Sequence, residues 1–108
     1  MSYTVEEKIK YNQLFDVYQE LLTDKQRLYF TYYFSDDYSL AEIGEILSVS
    51  RNAAHLQIKS IINTLENCES KLHVNDLIEK VDELLVALKD ETLKPKTLTI
   101  IKKIEKVK

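Results

Sequence analysis

The chain has 108 residues, of which 44% are hydrophobic and 31% are charged, and its formal net charge is -3. This length and composition predict one globular domain and exclude an intrinsically disordered chain. The single cysteine, Cys68, excludes an internal disulfide and a cysteine-based zinc site, which indicates a reducing compartment. No apolar run approaches the roughly 20 residues of a membrane-spanning helix, and the first residues lack a signal-peptide core. We therefore expect a cytoplasmic protein without membrane insertion.

Charge is unevenly distributed along the chain. Residues 1–93 carry 9 basic and 17 acidic side chains, whereas residues 94–108 carry six lysines and one glutamate. A basic tail of this kind is typical of segments that contact nucleic acid or an acidic partner. It is equally typical of a solvated terminal helix whose lysines interact favourably with the helix dipole. The sequence leaves both interpretations open.

Two helices are predicted in the first third of the chain. Thr4 with Glu7, and Thr23 with Gln26, have the spacing of capping boxes, which satisfy backbone N–H groups at a helix start. The first helix should begin near Val5 and end near residue 22. The second should be strongly aromatic and should end at the Ser-Asp-Asp sequence of residues 35–37. The apolar positions expected to form one buried stripe on the first helix are Ile9, Leu14, Phe15, Val17, Tyr18, Leu21 and Leu22.

The aromatic side chains of these two helices lie at helical spacing beside leucines. Most of them should therefore belong to the core, rather than to a base-stacking surface. A ring that does not fit beneath the two helices, such as Tyr29 or Tyr33, would be a candidate for a dimer contact.

Three more helices are predicted after residue 38, and the last segment of the chain is left open. Ser39 with Glu42 forms a third capping box before the segment LAEIGEIL of residues 40–47, and Ser50 can cap a helix that runs to about residue 67. A fifth helix is predicted over residues 74–89, and its leucine stripe either folds back onto the domain or pairs with another copy in a homodimer. After Pro95, residues 98–107 form either a last amphipathic helix or an extended segment. The predicted fold is all-α: one helical domain over residues 1–108 with one or two C-terminal helices.

Residues 39–67 contain the most specific pattern, that of a helix-turn-helix. Two helices that cross steeply around a short turn need a very small residue where their backbones meet. Gly44, which is the only glycine, lies in the middle of a predicted helix, where it costs about 0.5–1 kcal/mol unless close packing requires it. The residues expected to pack between the two helices are Ile43, Gly44, Leu47, Val49, Ala54 and Ile58.

The second helix of this pattern carries residue types that bind nucleic acid. If it enters a major groove, its outer N-terminal side chains must reach base edges and phosphates. The candidates are Ser50, Arg51, Asn52, His55 and Lys59. Residues 39–62 nevertheless hold two basic and two acidic side chains, which predicts weak, salt-sensitive binding unless dimerisation or the basic tail adds positive charge. Because helix-turn-helix units also serve as protein-binding modules, a protein-facing role stays open.

Nothing in the sequence predicts an enzyme, a metal site or a cofactor. His55 and His73 lie 18 residues apart and have no cysteine partners nearby. Asp36 and Asp37 are more typical of a solvated turn than of a cation site. One glycine cannot form a glycine-rich phosphate loop, and no pairing of a nucleophile with a base is recognisable.

Residues 11–54 resemble a known family. The segments LLTDKQRLYFTYYF (residues 21–34) and SLAEIGEILSVSR (residues 39–51) are similar to the YlxM-like family of small bacterial helix-turn-helix proteins, which itself resembles region 4 of RNA polymerase sigma factors. The resemblance implies that Ser50, Arg51 and Asn52 begin the recognition helix. The chain departs from the pattern at residues 53–56, AAHL, where small or apolar side chains replace bulkier polar ones.

The resemblance also implies a biological role. Members of this family are typically encoded beside components of the signal recognition particle, which implies a regulatory role in that protein-targeting pathway. We therefore expect a helix-turn-helix regulatory protein that binds DNA or RNA. The alternative is an adaptor that binds components of the signal recognition particle without reading bases.

Overall fold

A computed structural model of the chain describes residues 3–89 and 95–107, and within these residues every regular element is helical. The predicted all-α fold is confirmed. The elements are α1 (Val5–Tyr18), a 3₁₀ turn (Gln19–Leu21), α2 (Asp24–Phe30), a π-helical turn (Thr31–Ser35), α3 (Leu40–Leu47), α4 (Arg51–Leu72), α5 (Val74–Lys89) and α6 (Pro95–Val107). The chain divides into two compact units, an N-terminal unit of residues 1–72 and a C-terminal unit of residues 73–108.

The three predicted capping boxes all form. Thr4, Thr23 and Ser39 each accept a hydrogen bond from the backbone N–H three residues later, at 3.1 Å in every case. In return, the side chains of Glu7, Gln26 and Glu42 accept the backbone N–H of the capping residue. Each box satisfies two backbone donors that the first helical turn leaves without partners, which explains why α1, α2 and α3 begin at the predicted positions.

The helix that begins with α2 ends in a π-helical turn. The backbone N–H of Asp36 donates to the carbonyl of Thr31 at 3.0 Å, a five-residue step. Asp37 follows in the left-handed conformation, with φ 57°. Aspartate tolerates this conformation better than most residues do, so the predicted Ser-Asp-Asp break is observed.

The core of the N-terminal unit is built largely from aromatic rings. Phe15 of α1 stacks on Phe30 of α2 with ring centroids 4.2 Å apart, and Phe30 in turn lies 4.5 Å from Phe34. Tyr29 is only 1% exposed, so the expectation that it is a surplus ring available for a dimer contact is wrong. Tyr33 is half-buried and packs edge-on against Phe34.

The buried stripe of α1 differs from the predicted one. Ile9 is 54% exposed and Leu21 is 63% exposed, whereas Tyr11, which the prediction left out, is buried. Tyr18 is buried as predicted. The physical reason is that both tyrosine hydroxyls find partners on α4. A tyrosine can be buried at little cost when its hydroxyl is hydrogen-bonded, and its ring then covers more area than an aliphatic side chain.

Two tyrosine–glutamate pairs join α1 to the C-terminal half of α4. The Tyr18 hydroxyl donates to Glu69 Oε1 at 2.6 Å. Tyr11 is hydrogen-bonded to Glu66, and Lys10 Nζ lies 3.8 Å from Glu66 Oε1. Because Tyr11 and Tyr18 are seven residues apart on one face of α1, the two bonds hold α1 along α4 and leave the N-terminal half of α4 to α3.

In the C-terminal unit, only two side chains are fully buried among the described residues, Leu85 of α5 and Ile101 of α6. Lys89 Nζ lies 2.6 Å from Glu105 Oε1 and forms an ion pair between the two helices.

The segment after Pro95, which the sequence left open, is helical. Lys94 and Lys108 of the predicted basic tail lie outside the described residues. None of the helices that the structure describes is long and apolar enough to cross a bilayer.

The Tyr11–Glu66 bond predicts loss of stability at alkaline pH. Burial, followed by the charge and hydrogen bond of Glu66, raises the pKa of Tyr11 to about 12. Above pH 10 the unfolded chain loses this proton while the folded chain keeps it, so the free energy of unfolding should fall by up to about 1.4 kcal/mol per pH unit. Urea denaturation followed by circular dichroism at pH 8 to 11 measures this slope. Tyr11→Phe should reduce it, and a smaller slope should remain because burial also raises the pKa values of Tyr3 and Tyr33.

The matched control is Tyr32→Phe, which removes a half-buried tyrosine hydroxyl from the π-helical turn. This variant controls for the general effect of removing a tyrosine hydroxyl. An unchanged slope in Tyr11→Phe would show that Tyr11 is not the group responsible.

Candidate nucleic-acid interface

The turn between α3 and α4 is closed by the backbone of α3. The N–H groups of Ser48 and Val49 both donate to the carbonyl of Gly44, the latter at 2.9 Å. Ser48 ends α3 in the left-handed conformation, with φ 57°. The chain therefore reverses within three residues, 48–50, and the length of this turn matches that of a helix-turn-helix.

Gly44 lies where the turn crosses α3. A Cβ atom at this position would lie 2.6 Å from the carbonyl oxygen of Val49 and 3.4 Å from the backbone nitrogen of Arg51. Because the first of these atoms belongs to the backbone, it cannot move aside as the end of a flexible side chain could. Gly44 is therefore required by a close approach of the backbone, which outweighs its low helix propensity.

Apolar side chains fill the angle between α3 and α4. Ile43, Ala54 and Ile58 have no exposed surface, and Gly44 is also buried. Leu47 and Val49 are half-buried. Of the six residues that the sequence placed between the helices, four are therefore buried and two are half-buried.

The approach of Gly44 to Val49 predicts opposite effects of two small substitutions. Gly44→Ala should destabilise the protein by about 1–3 kcal/mol, because the strain of overpacking exceeds the gain in helix propensity. Ser48→Gly should stabilise it by about 1 kcal/mol, because glycine adopts the left-handed conformation without penalty. Both free energies come from urea denaturation. A Gly44→Ala protein as stable as the wild type would contradict the close approach.

The N-terminus of α4 is open to solvent. The Ser50 hydroxyl oxygen accepts the backbone N–H of Ala53 at 3.0 Å and so caps the helix. Arg51 and Asn52 are exposed, and the first turn contains no acidic residue. The unpaired N–H groups and the helix dipole therefore give this end a partial positive charge that favours phosphate.

The sequence-predicted contact residues share one part of the helix surface. At 100° per residue, Asn52, His55 and Lys59 lie within about 60° of one another around α4, with Ser50 and Arg51 at its end. All are exposed except His55, which is half-buried. We name these five residues, Ser50, Arg51, Asn52, His55 and Lys59, the α4 outer face.

Apolar side chains border the α4 outer face. Leu56 is 56% exposed, and Ile46 of α3 is 48% exposed. Ile46 is exposed because α3 is short and packs only its Leu40, Ile43 and Gly44 side fully inward. Neither apolar side chain contributes to phosphate binding.

No metal site is found in the described part of the chain. Within residues 3–89 and 95–107, no three histidine, cysteine or carboxylate side chains come together in a way that could hold a metal ion. His55 is half-buried on α4, whereas His73 is exposed and has a left-handed backbone, with φ 53°.

Comparison with known proteins agrees with this geometry. Residues 5–107 match the model of the family UPF0122, whose description reads "Putative helix-turn-helix protein, YlxM / p13 like". The chain belongs to this family. It is 50% identical to a UPF0122 protein of Oceanobacillus iheyensis over 72% of this chain and 74% of the relative. It is 43% identical to a UPF0122 protein of Halalkalibacterium halodurans over 86% of this chain and 85% of the relative. It is 38% identical to a UPF0122 protein of Streptococcus thermophilus over 94% of this chain and 96% of the relative.

Proposed function

We propose that the protein is a cytoplasmic regulatory protein that binds DNA or RNA through the α4 outer face. The observation that carries the proposal is the solvent exposure of Ser50, Arg51 and Asn52 at an N-terminal helix end that is free of acidic residues. In a helix-turn-helix, this part of the second helix contacts base edges and phosphates. The proposed role in the signal recognition particle pathway rests on the family resemblance, and the small helical fold gives no support for an enzyme.

The five side chains of the α4 outer face would make different contacts with nucleic acid. Arg51 can form bidentate hydrogen bonds to guanine or phosphate through its guanidinium, and Asn52 can pair with adenine. Lys59, two turns further along α4, would contact phosphate, and His55 lies between them. The Ser50 hydroxyl accepts the Ala53 N–H through its oxygen and can still donate its own hydrogen to phosphate.

A second source of positive charge is α6. Lys96, Lys102, Lys103 and Lys106 are all exposed on this helix. The helix-turn-helix itself is electrically neutral, since Glu42 and Glu45 balance Arg51 and Lys59. We infer that the lysines of α6 supply sequence-independent attraction to phosphate, whereas the α4 outer face sets the register.

Removing the two cations of the α4 outer face tests the proposal. Arg51→Ala with Lys59→Ala should weaken binding to a labelled duplex and reduce the slope of log K against log salt by about 1.8, or by about 1.4 for single-stranded RNA. Fluorescence anisotropy at several salt concentrations gives both quantities.

The matched control is Lys25→Ala with Lys71→Ala, which removes the same charge from exposed positions of α2 and of the far end of α4. It should leave the slope nearly unchanged. Equal slopes for the wild type and the Arg51/Lys59 variant would exclude these two residues from the interface.

The exposure of Leu56 supports a second candidate function, that of a protein-binding adaptor. A half-exposed leucine beside the α4 outer face is unfavourable against phosphate but suits an apolar pocket on a protein. The partner would be a protein component of the signal recognition particle, bound without base recognition.

Nuclease treatment separates the two candidate functions. Purified components of the particle are captured on the immobilised protein with and without digestion of their RNA. Binding that survives digestion, weakens with Leu56→Gln and is indifferent to Arg51→Ala would establish the adaptor. Loss of all binding on digestion would exclude it.

A further inference from the structure

We propose that the C-terminal unit pairs with the same unit of a second copy of the chain, so that the protein is a homodimer joined through the apolar sides of α5 and α6. The interface stands on the structure of this unit alone. Its consequence for binding rests on the function proposed above, because the dimer would present two copies of the α4 outer face.

The first observation is an apolar groove between α5 and α6. Its volume is about 470 Å³. The lining residues are Leu77, Ile78, Val81, Ile104 and Val107. Leu77 is 61% exposed and Val107 is 87% exposed, so the groove is open to solvent. An open apolar surface of this kind marks a place where apolar side chains of a partner insert.

The second observation concerns the width of the apolar stripe on α5. Leu85 is buried, but Leu77 and Leu84 are 61% and 58% exposed. These two leucines are seven residues apart. They therefore lie on the same edge of the stripe, about two helical turns from each other. This edge of the stripe stays exposed in one copy, and a helix of a second copy can cover it.

The third observation is size. The unit contains 36 residues in two helices, and its described part buries only Leu85 and Ile101 completely. Units below roughly 40 residues need a disulfide, a metal or oligomerisation to be stable. The only cysteine of the chain, Cys68, lies in the other unit, and no metal cluster occurs among the described residues. The open apolar groove favours oligomerisation among these means.

Charge identifies the occupant of the groove as another copy. Helix α5 carries four carboxylates and two lysines, whereas α6 carries four lysines and one glutamate. A four-helix arrangement that alternates α5 and α6 places opposite net charges side by side within each copy and between copies. The Lys89–Glu105 ion pair already shows this attraction within one copy.

Sedimentation equilibrium of the full-length chain without nucleic acid tests the proposal. The wild type should have about twice the 12.7 kDa mass of one chain. Leu77→Gln with Leu84→Gln should return it to the mass of one chain, since glutamine keeps the helix propensity but removes the apolar edge. Leu56→Gln, on a leucine of similar exposure in α4, is the matched control and should remain dimeric.

A wild-type protein with the mass of a single chain would overturn the proposal, as would a dimer that survives the double substitution with unchanged affinity. Circular dichroism confirms that the variant stays helical, and the wild-type mass decides the question even if the variant does not fold. Arg51→Ala with Lys59→Ala should remain dimeric. A dimer that does not bind nucleic acid would contradict only the proposed function. A monomer that binds nucleic acid would contradict only the proposed dimer interface.

Discussion

The structure of the candidate site depends on one close approach of backbone to backbone. Gly44 lies so near the carbonyl of Val49 that a methyl group would not fit, since its carbon would lie 2.6 Å from that oxygen. This approach lets the chain turn within residues 48–50 and begin α4 with its first turn facing solvent. Ile43, Ala54 and Ile58 then bury the angle between the helices. At the other end, the Tyr18–Glu69 bond fixes α4 against α1. Helix α4 is therefore held at both ends, while its outer N-terminal face is open to solvent.

Much of the fold follows from local sequence features with a definite physical cause. The three capping boxes set the starts of α1, α2 and α3, and the Ser-Asp-Asp sequence ends the helix that begins with α2. The predicted bounds of α3 and α5 agree with the observed ones. The need for a small residue at Gly44 was also predictable, because a lone glycine inside a helix is unfavourable without such a reason.

Other features depend on long-range packing and could not be predicted from periodicity. The exposure of Ile9 and the burial of Tyr11 follow from the position of Glu66, which is 55 residues further along the chain. Tyr29 was named with Tyr33 as a candidate for a ring that does not fit the core, but it is 1% exposed and belongs to the core. The candidate contact residues were predictable as residue types at the start of a helix. Their binding partner is set by charge and surface shape across the whole molecule, so it stays a prediction.

The two units contribute complementary properties to the proposed function: a helix-turn-helix that is electrically neutral overall and a lysine-rich α6. Titration of the uniformly ¹⁵N-labelled protein with a short duplex DNA and with RNA, followed by amide chemical shifts, tests the central claim most directly. The largest shift changes should fall on residues 50–59, with smaller ones on the lysines of α6. Changes confined to α5, or no changes with either nucleic acid at low salt, would show that the surface exposed by the Gly44 crossing does not bind nucleic acid.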